Sequence, residues 1–265
     1  MNSYYQITNK IFEMKNMSYW DYATLASISY ANIPFVISQD DKVIVTEIET
    51  GYVSAETLID TLKIGNDNRD KNRIRDKINE SLIKLEKLGV IKIVDIKENS
   101  ERKYYKIRQQ ISTKGEYNGF SSITVVEFER IIFGVKKTSD KVKALACYIS
   151  IIHRIFKTDY NKFNSKNLSH YINWETQESI GDKYGVKRKS VSKTINLLVE
   201  VQAIATKTIK RKDKGKEIKN IYTKYCDRDK LDMYIKEQLN NKTYIERTND
   251  YTMGAIDLKS KLFSK

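Results

Sequence analysis

The chain has 265 residues, 40% of them hydrophobic, enough for two domains of ordinary size with a core in each. It carries 48 Lys and Arg against 34 Asp and Glu, a formal net charge of +14 that favours a polyanionic partner. No run approaches the roughly 18 apolar residues of a membrane span, and the opening MNSYYQITNK lacks a signal-peptide core, so a cytoplasmic protein with no membrane partner is expected.

In chain order, SYWDYATLASISYAN (18–32) has the character of a helix, with Tyr19, Trp20 and Tyr22 read as core. FVISQDDKVIVTEI (35–48) reads as two short strands around residues 39–41. SAETLIDTLKI (54–64) is a helix with Ser54 as N-cap and Glu56 and Asp60 near its start. GNDNRDKNRIRDKINESLIKLEKLG (65–89) adds a polar turn and a long helix, whose buried stripe is Ile74, Ile78, Leu82, Leu85 and Leu88. VIKIVDIKENSERKYYKI (90–107) completes this half as a hairpin turning near residues 98–100.

QQISTKGEYNGFSS (109–122) has two Gly among small polar residues and reads as a linker. The expected organisation is therefore a first domain over 1–110, a linker over 111–122, a second domain over 123–226, and a C-terminal helix and tail over 227–265. Charge divides with it. Residues 1–110 hold 17 basic and 16 acidic side chains, whereas 187–224 alone hold 12 basic against 3 acidic.

Beyond the linker, KVKALACYISIIHRIF (141–156) is apolar at helical spacing on more than one face, and its Cys147 and His153 read as core residues. Two cysteines, Cys147 and Cys226, argue against a disulfide framework in a reducing compartment. In QESIGDKYGVKRKSVSKTINLLVEV (177–201), Thr176 is the expected N-cap of a helix carrying Ile180, and Gly185 its end. The next helix buries Val191, Ile195 and Leu198, which places Lys189, Lys193 and Asn196 opposite, with Ser190 and Ser192 on the flanks. AIATKTIKRKDKGKEIKNIYTKY (203–225) then reads as a hairpin around Asp213, Lys214 and Gly215, carrying Lys207, Lys210, Arg211, Lys212, Lys214, Lys216 and Lys219. DRDKLDMYIKEQL (227–239) reads as an amphipathic helix before a polar tail.

Two helices, a short turn between them and a basic hairpin behind resemble the winged helix-turn-helix family over 174–225. The resemblance implies that Arg188, Lys189, Ser190, Ser192, Lys193 and Asn196 face double-stranded DNA and that the hairpin is a wing on phosphate. Lys187 stands where such helices often carry a Ser cap, and VEVQAI lacks the Gly usual before the first wing strand.

The first half repeats the order. Matching Leu58 to Ile180 gives an offset of 122 and matching Val90 to Ala203 one of 113, so the first copy has nine extra residues around its turn. Its helix surface differs. Arg69, Arg73, Asp76, Glu80 and Lys87 lie outward, and Asp76 and Glu80 would repel phosphate. The segment RDKNRIRDK still nets +3, so Arg69, Lys71, Arg73, Arg75 and Lys77, with Arg102 and Lys103 of the hairpin, offer a second DNA contact. Ile83, pointing outward, offers instead a surface for a homodimer or another partner. Both readings stay open for this half.

Only two histidines are present, neither beside another His or a Cys at metal-ligand spacing, and no phosphate-cradling glycine loop occurs. The sequence thus gives no positive support for an enzyme, a metal or another cofactor. The expected fold class is α+β, mostly helical, with two winged helix-turn-helix domains in tandem. That arrangement resembles the plasmid and phage replication initiators of low-GC bacteria, which implies binding of repeated origin sites in the cytoplasm or nucleoid and recruitment of a host helicase or helicase loader. A promoter-binding transcription regulator and a helicase-loading scaffold are the alternatives.

Overall fold

The computed structural model describes residues 4–31, 37–39, 42–44, 48–65, 68–99, 102–110, 120–155, 167–211, 218–240 and 244–246. The fold is α+β. Two compact units divide it, one of Met1–Ile149 with Lys183–Gly185 and one of Ser150–Asp182 with Val186–Lys265.

The first unit opens with β1 (Tyr4–Thr8), a 3-10 turn, and α1 (Tyr19–Tyr30). Ser18 and Asp21 form a capping box at the start of α1, and the buried Asp21 carboxylate also takes the Lys84 ammonium at 2.7 Å. One carboxylate thus starts α1 and ties it to the long helix α3 (Asn68–Lys87). Between them lie β2 (Ile37–Gln39), β3 (Lys42–Ile44), β4 (Ile48–Val53) and α2 (Ala55–Leu62). Ser54 caps α2 as expected, with Thr57 as its reciprocal partner. After α3 come β5 (Ile91–Glu98) and β6 (Lys103–Gln109), in a sheet ordered β4-β6-β5. Across the β4 bulge, the Thr50 hydroxyl accepts the Ile107 N–H at 2.9 Å and meets a backbone donor the ladder leaves open.

The division expected at 111–122 lies elsewhere. Residues 111–119 fall outside the described residues, but 120–122 belong to β7 (Phe120–Thr124), which pairs antiparallel with β1 in the register Tyr4↔Thr124. The pairing places β7, with α4 (Val125–Gly134) behind it, in the first unit. The boundary comes instead in the last turn of α5 (Thr138–Ile152).

In the second unit Asn173 holds three pieces together. Its side-chain amide donates to the Ile151 carbonyl at 2.7 Å, its side-chain oxygen accepts the Glu175 N–H at 2.7 Å, and its backbone exchanges two 2.9 Å bonds with Tyr222. The chain then forms α6 (Gln177–Lys183), α7 (Arg188–Glu200), β8 (Ile204–Arg211), β9 (Ile218–Lys224), α8 (Arg228–Asn240) and β10 (Tyr244–Glu246). The sheet order is β10-β8-β9, with Asn173 bridged to the open side of β9. In both units, then, the segment before the helix pair lies beside the second hairpin strand.

The repeat extends to single positions. Ile78, Ser81, Leu82 and Leu85 of α3 and Val191, Thr194, Ile195 and Leu198 of α7 are all buried, at the constant spacing of 113. Each helix ends with the same bond, Val90 N–H to Leu85 O and Ala203 N–H to Leu198 O, both 2.9 Å. The extra residues of the first copy mostly lengthen its helix: α3 has 20 residues and α7 has 13.

Candidate nucleic-acid interface

The pair α6 and α7 is set by one contact. A Cβ on Gly181 would stand 2.3 Å from the Val186 carbonyl oxygen and 2.9 Å from Val191 Cγ2, so only glycine lets α6 approach the turn this closely. Thr176 caps α6, its hydroxyl accepting the Ser179 N–H at 3.1 Å. Gly185, at φ 72°, makes the left-handed step that ends the first helix.

With Val191, Thr194, Ile195 and Leu198 inward, α7 leaves Lys187, Arg188, Lys189, Lys193 and Asn196 exposed, with Ser190 and Ser192 half-buried on the flanks. Thr194 is buried with Val191, Ile195 and Leu198, its hydroxyl donating to the Ser190 carbonyl at 2.9 Å. Lys187 is the N-cap residue and contributes no side-chain cap bond, and the first turn has no acidic residue. Three cations therefore crowd the positive end of a helix dipole. That arrangement costs helix stability and concentrates positive potential where an anion would dock. Arg188 is held 3.6 Å from Glu178 of α6, both side chains remaining largely in solvent.

The hairpin is less uniform than its lysine count suggests. Strand alternation puts Lys207, Ile209, Lys219 and Ile221 on one face, and α8 covers that face with Leu231, Tyr234 and Ile235. Lys207 there pairs with Asp232 at 3.1 Å, and the Lys219 ammonium lies 5.4 Å from the Trp174 ring centre and 3.5 Å from the Tyr244 hydroxyl. These two lysines are engaged within their own unit. Lys210 lies on the opposite face, and β10 adds along the β8 edge at Ile209–Arg211. The Arg211 side chain, Lys212, Lys214 and Lys216 lie outside the described residues.

In the first unit, several expected contacts are already paired: Arg73 with Asp70 at 3.3 Å, Arg75 with Glu56 at 3.6 Å, Lys77 with Glu80 at 2.8 Å and Lys103 with Glu98 at 2.8 Å. Lys71 and Arg102 are exposed, and the Arg69 side chain lies outside the described residues. At the positions equivalent to Lys189, Lys193 and Asn196, α3 carries Asp76, Glu80 and Ile83, all exposed. The outward surface thus differs in sign between α7 and α3 while the buried stripe does not.

His153 is buried with Nδ1 2.7 Å from the Ser150 carbonyl oxygen, and burial pushes the Cys147 thiol up to about 12. Among the described residues no helix is long and apolar enough to cross a membrane. No protein-family model, curated protein or solved structure matches the chain.

Proposed function

We propose that the protein is a sequence-specific duplex-DNA-binding protein built from two winged helix-turn-helix units, of which the second reads DNA through α7. One observation carries the reading: the exposed row Lys189, Lys193 and Asn196 on a helix whose opposite side is fully buried. A helix of this width enters the major groove, lysine reaches the acceptor edge of guanine, and asparagine reads the acceptor and donor of adenine. Lys187 and Arg188 at the amino end supply phosphate contacts that fix the register. In this reading Lys210 lies over the backbone, and the face under α8 does not.

Replication initiation at repeated origin sites is the role most in keeping with a duplicated unit of which one copy has lost its cationic ridge. Mapping the DNA protected by the protein tests that role. Direct repeats beside an AT-rich tract support it, while a single palindrome over a promoter makes the protein a transcription regulator.

A further inference from the structure

We infer that the outer face of the β4-β6-β5 sheet in the first unit is a second nucleic-acid site, one that takes a single-stranded polynucleotide. The register puts Lys92 opposite Arg108, Lys97 opposite Tyr104, and Lys106 between Asp95 and Tyr52, and residues opposite one another share a face. The other face of the same strands holds Ile91, Ile107 and Gln109, each at most 1% exposed, and, toward the hairpin turn, Ile96, Glu98 and Lys103, which are exposed. Four cations and two tyrosines therefore share one face of a pleated surface with two carboxylates, Asp95 opposite Lys106 and Glu49 at the register position opposite Arg108. Tyr52 is 38% exposed, with the Lys97 ammonium 4.0 Å from its ring centre and its hydroxyl bonded to Asp95.

The second unit shows that the fold does not require this surface. There the equivalent of Tyr52 is Trp174, and the equivalents of Lys106 and Lys97 are Ile221 and Ile209, all packed in the cluster under α8. The second unit packs this face under α8 and engages within the unit the two lysines it carries there, Lys207 and Lys219, at the positions of Asp95 and Tyr104. The first unit is cationic and aromatic there and leaves Lys92, Asp95 and Lys97 exposed.

The chemistry selects a single strand. Lysine and arginine beside aromatic rings on a sheet give phosphate contacts and stacking faces together. A duplex keeps its bases stacked on one another and could use only the cations. The site rests on the first unit alone and is independent of α7.

The test uses the full-length chain with oligothymidylate and oligouridylate, and in parallel a duplex selected from a random pool. Binding of either single strand is expected to fall at least tenfold in Lys97→Glu with Lys106→Glu, and roughly tenfold in Tyr52→Ala. Tyr52→Phe keeps the ring and removes only the bond to Asp95, so it is expected to bind like wild type, which separates stacking from loss of fold. Lys189→Ala with Lys193→Ala is expected to weaken duplex binding and leave the single strand unaffected. No single-strand binding, binding indifferent to the sheet substitutions, or a loss seen only with the α7 pair would overturn the inference. Duplex failure with sheet-dependent single-strand binding would sink the reading of α7 and leave this one standing.

Discussion

Lys193 of α7 and Glu80 of α3 hold the same position relative to the close of their helices and carry opposite charge. Each stands five residues before the leucine, Leu198 or Leu85, whose carbonyl accepts the N–H that closes its helix. If α7 reads bases, Lys193→Ala or Asn196→Ala relaxes sequence preference, with a cost on the order of 1 to 3 kcal/mol at a true base contact. Arg211→Ala or Lys214→Ala weakens all sequences alike. Competition between selected and random duplexes separates the two, and equal effects from both pairs would undo the distinction between helix and wing.

Gly181→Ala tests the seating of α6 against the turn. The added methyl meets backbone at Val186, which cannot rotate away as a side chain would, so a loss of about 1 to 3 kcal/mol is expected from overpacking. Chemical denaturation of the full chain measures it. An unchanged midpoint would mean that the helices are not held this closely.

Gln202 takes the left-handed turn at φ 57° that Gly89 takes at φ 67° in the other copy. The glycine absent from VEVQAI is therefore absent from a position that still adopts the glycine conformation. Gln202→Gly removes the side-chain strain and is expected to stabilise the protein by roughly 0.5 to 1 kcal/mol. A destabilised variant would show that the Gln202 side chain contributes more than its backbone costs.

The thiols are expected to react unequally. Cys226 is exposed, while burial raises Cys147 to about 12, so its thiolate is scarce until the pH nears that value. At pH 8 a thiol-titrating reagent should count one group in the native protein and two after denaturation. Two fast-reacting groups in the native state would place Cys147 at the surface.

Helical periodicity made the α7 stripe and the α3 stripe from Ile74 to Leu85 legible, because one turn of spacing decides which side chains face inward and the neighbouring helix need not be known. Thr176, Ser54 and Gly185 were legible for the same local reason. Leu88, expected in the α3 stripe, lies past the helix end and is half-buried. What the sequence concealed depends on distant partners. FSS (120–122) looks like linker until β1 is there to pair with it. The lysines of 203–225 look alike until α8 covers one face and takes Lys207 through Asp232, while Trp174 and Tyr244 take Lys219. The cationic face of the first sheet was present in the alternation of IKIVDIKE and KYYKIRQ, yet its meaning required the register that sets Lys92 opposite Arg108.

The most direct measurement is the affinity for a pool-selected duplex as salt is raised, for wild type and for Lys189→Glu with Lys193→Glu. Wild type is expected to weaken along a log-log line with a slope of about 0.9 per phosphate neutralised, and the reversed pair to lose both the preference for the selected site and part of that slope. Duplex affinity that neither salt nor the charge reversal alters would contradict the central claim that α7 docks on DNA.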